Sequence, residues 1–207
     1  MSVQFNFLEH IVKDRFGLDL CHRSIDLLNE VAATFISFPE AIEPPSSAVV
    51  ALSANVGNDM TSSLSCALNC VTDNHLLLER ICNFLESNEI HSPDKLLDGR
   101  IIPGMGHPSI KGEDPRVKYL LNEFSDLAQH RVDFYLQAEQ ALPVHINIGG
   151  AMCSLMLDSG LPNKYIAYFP LIGRLFGWCE IYHETKTNFP KVVPSHKIIH
   201  ENEPTTH

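Results

Sequence analysis

The residues best suited to chemistry lie together in a glycine-rich segment in the middle of the chain. Gly104 and Gly106 let the backbone turn tightly and approach a ligand closely. His107 follows them directly and offers a hydrogen-bond donor or acceptor, while Lys111 and Arg116 bring positive charge. This composition suits an anionic ligand, but a plain loop between helices with an incidental histidine would have the same composition.

The spacing of cysteines and histidines favours no metal site. Cys66 and Cys70 are four residues apart and would share one face of a helix, but no second pair of ligands is near them in the sequence. His196 and His200 have the same spacing without a nearby third ligand. We therefore predict that no metal is bound and that the cysteines are buried free thiols.

The glycine-rich segment resembles a motif of the citrate synthase and citryl-CoA lyase superfamily. The family pattern I-P-G-[FY]-G-H, followed after a few residues by D-P-R, resembles Ile102–His107 and Asp114–Arg116, at the family's spacing. Three C-terminal segments are also similar to family motifs: Asn147–Ala151 to N-V-D-G-A, Leu157–Pro162 to D-[LM]-G-[LF]-P and Leu171–Trp178 to F-x-x-[GS]-R-x-x-G. The likeness covers about residues 20–197, and most of the N-terminal part of the family's large lobe is missing.

The resemblance assigns roles to residues of that segment and of the C-terminal part. In this family a carboxylate removes a proton from an acyl-CoA, a histidine hydrogen-bonds the enolate, and further histidines and arginines hold a 2-oxo acid. By resemblance, His107 is catalytic and contacts the oxo or hydroxyl group of the substrate. Arg116 and Arg174 then bind substrate carboxylates, because the guanidinium fork pairs with both oxygens of a carboxylate.

The same resemblance implies a place for coenzyme A. Lys111 would meet one of its phosphates, and the backbone of the preceding loop would receive the adenine; that loop consists of Pro103, Gly104, Met105 and Gly106. Coenzyme A would arrive as a thioester substrate, so no tightly bound cofactor is expected.

Three positions depart from the family pattern in the groups that move protons. Gly149 stands where N-V-D-G-A has its aspartate base, and Asn29 stands where an upstream helix has its carbonyl-polarising histidine. Weak upstream similarity over Ala48–Met60 places Met60 at the enol-stabilising histidine of L-H-G-G-A. Asp59 or His145 could substitute as a base, or Asp59 could be a helix N-cap and His145 a surface loop residue.

Helical periodicity dominates the elements that must position these groups. Apolar residues recur at intervals of three and four along runs separated by prolines, and strand-like alternation is almost absent. The pattern predicts an all-α protein of about eight helices, and the resemblance implies a citrate-synthase-like multi-helical fold with a reduced large lobe. We expect one helical domain over residues 1–184 and a C-terminal arm or tail over residues 185–207.

Composition excludes several classes of partner. The chain has 207 residues, and its 25 acidic against 15 basic side chains give a net charge of −10, which argues against binding to nucleic acid or anionic membrane. It contains no apolar run long enough to span a bilayer and no signal-peptide pattern, so we expect a cytoplasmic protein. Charged residues are only 19%, and this low fraction, with the family's habit of pairing, suggests a homodimer.

Two functions of different class remain open. One is an enzyme of the transferase or lyase type, a divergent citrate synthase-like protein acting on acyl-CoA and a 2-oxo acid or polycarboxylate with an altered active site. The other is a pseudoenzyme that binds citrate or a coenzyme A ester, or regulates a partner, without turnover.

Overall fold

The computed structural model describes residues 7–36, 45–87, 101–107, 110 and 112–188. Over these residues the backbone forms helices, with one isolated β-bridge between Met105 and Ile146. The helices are α1 (Phe7–His10, continued by a π-helical turn over Ile11–Arg15), α2 (His22–Thr34), α3 (Pro45–Asn55), α4 (Met60–Cys70), α5 (Thr72–Glu86), α6 (Pro115–Glu123), α7 (His130–Ala141), α8 (Ile148–Asp158), α9 (Asn163–Ile166) and α10 (Tyr168–Asn188). The predicted all-α class is confirmed, and eight of these described helices have nine residues or more.

Helix α8 is the centre of the molecule. All of its residues are buried, and it contacts α2, α5, α6 and α7. A helix enclosed on every side must be apolar all round, and α8 reads Ile-Gly-Gly-Ala-Met-Cys-Ser-Leu-Met-Leu-Asp. Its position matters for function, because the N-terminal turn of α8 forms part of the cleft described below.

Asp158, the last residue of α8, joins the C-terminal end of this helix to α7. Its carboxylate accepts the backbone N–H groups of Gln129 and Val132 at 2.8 and 3.3 Å, which begin α7, and it pairs with Arg131 at 3.1 Å. A buried carboxylate is tolerable only with such partners. Asp158 is therefore a structural residue that fixes the angle between α7 and α8.

Short polar side chains also start two other helices. Asp114 caps α6 and is followed by Pro115, which suits the first helical position. Asp59 accepts the N–H of Ser62 at 2.9 Å and caps α4, and the hydrogen bonds from Ser62 lower the pKa of Asp59. Of the two readings open for Asp59, the N-cap is the one that the structure shows.

Helix α10 packs against α2 through glycines. A Cβ atom on Gly173 or Gly177 would overlap the backbone carbonyl of Ala32 or Ile36, so only glycine allows this approach. The close packing brings Arg174 over the ring of Phe35, with 5.2 Å from the guanidinium carbon to the ring centroid. In this way α10 carries a charged side chain to a defined place beside the end of α2.

The prediction of buried cysteines is confirmed in part. Cys82 and Cys153 are buried as predicted. The prediction is wrong for Cys21, Cys66 and Cys70, which are exposed because they lie at a helix start and on the outward side of α4.

Within the described ranges no group of three possible metal ligands occurs, and no helix is long and apolar enough to cross a bilayer. Residues 189–207, which include His196, His200 and most of the predicted tail, lie outside the described residues.

Candidate functional site

A cleft of about 390 Å³ opens where the glycine-rich loop meets three helices. We call it the central cleft: its walls are residues 101–107, the start of α5, the first turn of α8 and the first half of α10. His107, Gly149 and Arg174, which sequence reasoning selected from distant segments, all line it. The fold therefore brings the predicted motifs to one place.

Asn147 holds the loop against the start of α8. Its side-chain oxygen accepts the N–H of Gly150 at 3.0 Å and caps the helix, while its side-chain nitrogen donates to the carbonyl of Gly106 at 2.8 Å. Its backbone N–H donates to the carbonyl of Gly104 at 2.9 Å, and the N–H of Gly106 donates to the carbonyl of His145 at 2.7 Å. One residue thus satisfies a helix end and two loop carbonyls.

Glycine is required where the loop and α8 touch. Gly104 has a φ of +88°, and its Cα faces Gly150 so closely that a Cβ on Gly104 would lie 2.9 Å from the Gly150 Cα. Tyr135 completes the contact, because its hydroxyl donates to the Pro103 carbonyl at 2.6 Å. Burial raises the pKa of Tyr135, so the hydroxyl keeps its proton and remains a donor.

His107 is held as a neutral donor. The backbone N–H of Ile110 donates to Nδ1 of His107 at 3.1 Å, so the neutral ring carries its proton on Nε2. Burial, and then the charge of Arg116, lowers the pKa of His107 below its ordinary value of 6.5, although Asp114 opposes this. At neutral pH the ring can donate a hydrogen bond to an oxygen atom but is a poor acceptor of protons at Nε2.

Arg174 supplies positive charge to the central cleft. Burial, and then the charge of Arg116, lowers the pKa of Arg174 to about 10, so the guanidinium is still cationic at neutral pH. The ring of Phe35 beneath it supports the planar group through a cation–π contact. A partly buried guanidinium can pair strongly with a carboxylate because little water competes.

Arg116 is engaged by its own neighbour. Its Nε and Nη2 donate to the carboxylate of Asp114 at 3.0 and 2.6 Å, and both side chains are buried, with 10% and 2% of their area exposed. Arg116 does not line the central cleft among the described residues. Its charge nevertheless lowers the pKa of His107 and of Arg174, so it acts on the cleft electrostatically.

The position of the family's base is narrowed by two apolar side chains and by the side-chain oxygen of Asn147. Gly149 lies in the cleft wall, and a Cβ atom there would meet Cδ1 of Ile81 at 3.1 Å and Cδ2 of Leu78 at 3.6 Å. The described residues that line the cleft include no aspartate or glutamate. A carboxylate is therefore missing from these described walls, and the third neighbour of a Cβ atom on Gly149 is Oδ1 of Asn147 at 3.2 Å.

The other two departures from the family pattern lie away from the described walls. Met60 begins α4, and the opposite end of that helix, at Val71, lines the cleft, about 16 Å away at about 1.5 Å per residue. Asn29 donates to the carbonyl of Ile25 within α2. Neither Met60 nor Asn29 is among the described residues that line the cleft, and the Met60 alignment stays a prediction.

His145 lies behind the loop rather than in the central cleft. Its Nδ1 is 2.9 Å from Oε1 of Glu139, which also accepts the N–H of Ile146 at 3.1 Å. His145 and His107 line a smaller cavity of about 240 Å³ on the other side of Gly106. As a replacement base for the central cleft, His145 is badly placed.

The structure describes four of the five residues that the resemblance assigns to coenzyme A. Pro103, Gly104, Met105 and Gly106 all line the central cleft, whereas Lys111 lies outside the described residues. The N–H groups of Met105 and Gly106 are already used, donating to the carbonyls of Ile102 and His145. The loop thus presents a fixed, internally bonded surface to a ligand.

Sequence reasoning missed the residues that support these groups. Asn147 was noticed only as a frame for Gly149, and an asparagine just before a helical run was the available signal for a cap. Tyr135 and Phe35 gave no local signal, because their roles come from contacts with segments far away in the chain.

Comparison with known proteins identifies the family of the chain and the solved structures that share its fold. A family model described as citrate synthase, C-terminal domain, matches residues 43–194. No curated protein matches. Among solved structures, citryl-CoA lyase from Hydrogenobacter thermophilus superposes with a TM-score of 0.74 at 19% identity, covering 100% of this chain and 85% of that one.

Longer proteins share the same fold. Citrate synthase from the archaeon Thermoplasma acidophilum, in a ternary complex with carboxymethyl coenzyme A and oxaloacetate, gives a TM-score of 0.62 at 22% identity, over 91% of this chain and 55% of its own. ATP citrate lyase from Methanothrix soehngenii, in complex with citrate and coenzyme A, gives 0.68 at 17% identity, over 90% and 37%. The chain thus spans about half or less of these two proteins, and the likeness shows a common fold.

Substitution of Asn147 separates its two contacts. Asn147→Ser keeps a capping oxygen but cannot reach the Gly106 carbonyl, so we expect a loss of about 1 kcal/mol in the free energy of unfolding. Asn147→Ala removes both contacts and should cost about 2 kcal/mol. Chemical denaturation measures both, and equal stability of Asn147→Ser and the unsubstituted protein would show that the Gly106 contact contributes nothing.

Substitution of Gly149 tests how closed its surroundings are. Gly149→Ala should change stability by about 1 kcal/mol or less, because helix propensity offsets a tight contact. Gly149→Asp should cost about 2 kcal/mol or more at pH 7, because a carboxylate would be buried against Leu78 and Ile81.

The pH dependence distinguishes charge from size at Gly149. Burial raises the pKa of the introduced carboxyl, so the folded protein takes up a proton as the pH falls. The stability deficit of Gly149→Asp, measured against Gly149→Ala by denaturation, should therefore narrow between pH 7 and about pH 5. A deficit that stays constant over this range would mean that the carboxyl reaches water.

Proposed function

The chain belongs to the citrate synthase family, and from that premise we propose that it binds a carboxylate or acyl-thioester ligand in the central cleft without removing a proton by the family's route. The protein would then bind a ligand on the fold of an enzyme family without catalysing the reaction of that family. The ligand classes at issue are the family's polycarboxylates, 2-oxo acids and coenzyme A esters.

This proposal rests on the glycine at position 149, where the family has its aspartate base. Removing an α-proton from an acyl-CoA needs a base within hydrogen-bond reach of the carbon acid. Gly149 has no side chain, its neighbours Ile81 and Leu78 are apolar, and the described walls hold no carboxylate. His107 cannot replace it, because its Nδ1 is occupied and its Nε2 carries a proton.

The retained polar groups support binding. Arg174 offers a cationic fork to a carboxylate, and His107 offers an Nε2–H donor to an oxo, hydroxyl or carboxylate oxygen. Both groups line the same cleft and both are partly desolvated, which strengthens their interaction with an anion. These are the groups that a binding protein needs and that a proton-transfer route cannot use alone.

A second candidate function, an acyltransferase or citryl-CoA lyase, is favoured by the sequence position of His75. In the chain His75 lies between Val71 and Leu77, and both of these residues line the cleft. A histidine at this position could take the part of the enol-stabilising histidine of L-H-G-G-A. An enzyme would then retain His75 and His107 and would need another base.

Calorimetry with the substitution Arg174→Gln tests the binding function. The unsubstituted protein should bind at least one member of a panel of citrate, 2-oxo acids and coenzyme A esters. Arg174→Gln should weaken binding by at least tenfold, because a desolvated charge pair contributes about 1.5–3 kcal/mol. Arg23→Gln is the matched control, since Arg23 pairs with Glu123 and Asp126 at an exposed site.

The same panel separates the two candidates. Under the binding function, acyl-CoAs mixed with 2-oxo acids give no carbon–carbon bond formation, and citryl-CoA is not cleaved. Turnover that is lost in His75→Ala and kept in the exposed control His22→Ala would support the enzyme and contradict the binding function. A panel in which nothing binds would remove the proposal altogether.

We also propose that the protein is a cytoplasmic homodimer. Large apolar side chains are exposed on α3, just after α3 and on α4, namely Leu52, Val56 and Leu68. Exposed apolar patches commonly mark an interface. Light scattering at micromolar concentration should give twice the mass of one chain, 23.2 kDa. The mass of a single chain would contradict pairing.

A further inference from the structure

We propose that Cys82 and Cys153 form a reversible disulfide when the protein meets a hydroperoxide, and that this bond ties α5 to α8 beside the central cleft. Cys82 lies on α5 and Cys153 on α8, and both are free thiols. The inference adds a modification site to the protein. It depends neither on the ligand of the cleft nor on whether the protein is an enzyme.

The packing of α5 on α8 places the two cysteines together. One helical turn before them the two helices are in contact, because a Cβ atom on Gly149 would lie 3.6 Å from Cδ2 of Leu78. Cys82 follows Leu78 by four residues and Cys153 follows Gly149 by four, so each cysteine continues the same helix face. Both cysteines belong to one buried apolar cluster. The thiols therefore meet one turn beyond the contact at Gly149.

The surroundings of the thiols fit this placement. Burial, together with a hydrogen bond to Cys82, raises the pKa of Cys153. The bond joins side chains of two different helices, so it reports that the sulfur atoms are neighbours. A disulfide needs a separation of about 2 Å between the sulfurs, which is shorter than the distance between hydrogen-bonded thiols. A small movement of α5 towards α8 is enough to close the bond.

A second cavity gives an oxidant access to Cys82. This cavity of about 390 Å³ lies between α5 and α9, and Cys82 is one of its lining residues. Leu78 and Ala167 line both this cavity and the central cleft. Cys153 is not among the described residues that line either of them. An oxidant as small as hydrogen peroxide would therefore meet Cys82 first.

The oxidation proceeds in two balanced steps. The thiolate of Cys82 attacks one oxygen of hydrogen peroxide, the O–O bond breaks, and the leaving hydroxide takes up the proton of the thiol as water. The sulfur of Cys153 then attacks the resulting sulfenic acid, and the S–O bond breaks. The second hydroxide leaves as water with the proton of Cys153. Two thiols are thus oxidised to one disulfide while the peroxide is reduced to two waters.

The bond would act on the wall of the central cleft. Leu78 and Gly149, each one turn before a cysteine, both line the cleft. Drawing α5 towards α8 narrows the space between them. The oxidised protein should also resist unfolding, because a link between residues 82 and 153 restricts the unfolded chain.

Peptide mass spectrometry tests the inference on the full chain. The other four cysteines are exposed or half-buried and are replaced by serine, namely Cys21→Ser, Cys66→Ser, Cys70→Ser and Cys179→Ser. The reduced protein is treated with hydrogen peroxide, its remaining thiols are alkylated in denaturant, and it is digested with trypsin. Cleavage after lysine and arginine leaves the two cysteines in separate peptides, 81–95 and 132–164. We expect these peptides to be joined with the loss of two hydrogen atoms and to separate again with dithiothreitol.

Single substitutions show which thiol meets the oxidant. In Cys153→Ala the sulfenic acid on Cys82 has no partner, so dimedone should label Cys82. In the matched variant Cys82→Ala, dimedone should leave Cys153 unlabelled. Labelling of Cys153 alone would contradict the order of the two steps. Thermal unfolding shows that both variants fold, and the joined peptides of the parent protein decide the inference in any case.

A further pair of variants tests the access route. Ala167→Leu fills part of the cavity beside Cys82 and should slow disulfide formation by roughly threefold, because access limits the reaction of a buried thiol. Ala33→Leu is the matched control, since Ala33 is exposed on α2 and outside the cavity walls. Equal rates in the two variants would contradict entry through this cavity.

Two results would overturn the disulfide itself. One is a folded, peroxide-treated protein in which both cysteines are still alkylated, or in which Cys82 is oxidised further without joining Cys153. The other is a joined peptide that appears only when urea has unfolded the protein. Neither result bears on the calorimetry of the cleft ligands, so the failure of this inference is separate from the failure of the proposed function.

Discussion

The central cleft depends on the contact between Asn147 and the loop in front of it. A helix start leaves N–H groups without a partner inside the helix, and a loop crossing that start presents carbonyl groups in the same position. Asn147 satisfies both with one side chain, because an amide is a donor and an acceptor at once. The loop can therefore press directly on α8, and the residue after its last glycine, His107, takes a fixed place.

The close approach of the loop to α8 requires glycine on both sides of the contact. Gly104 and Gly150 face each other with no room for a side chain, and Tyr135 fastens the loop from below. Gly173 and Gly177 play a comparable part where α10 meets α2, and so determine where Arg174 stands. The polar groups of the cleft are thus positioned by contacts of backbone on backbone.

Much of the fold and part of the site could be predicted from the sequence. The apolar spacing of three and four residues is a direct consequence of helix geometry, and the glycine–histidine loop has a pattern dense enough to locate the cleft. The surroundings of single residues could not be predicted. Nothing local in the sequence places the Arg116 fork on the carboxylate of Asp114, because a guanidinium two residues from a carboxylate can equally point to solvent.

The upstream part of the site shows a similar limit. Met60 and His75 both stand near the start of a helix, and weak similarity does not distinguish two helix starts fifteen positions apart. That Val71, Leu77 and Leu78 line the cleft while Met60 does not is a property of the packed helices. Exposure of cysteines is likewise a property of the assembled helices: α4 has one face on α3 and another outside, and its sequence of small and apolar residues does not mark which is which.

The surroundings of Gly149 also determine how wide the central cleft is at this point. A Cβ atom there would approach Cδ1 of Ile81 at 3.1 Å, Oδ1 of Asn147 at 3.2 Å and Cδ2 of Leu78 at 3.6 Å. Asn147 is fixed by its hydrogen bonds to Gly106 and Gly150, whereas the ends of the two aliphatic side chains can change rotamer. The width of the cleft beside α8 is therefore set by the side chains of α5, while the loop on the other side keeps its place.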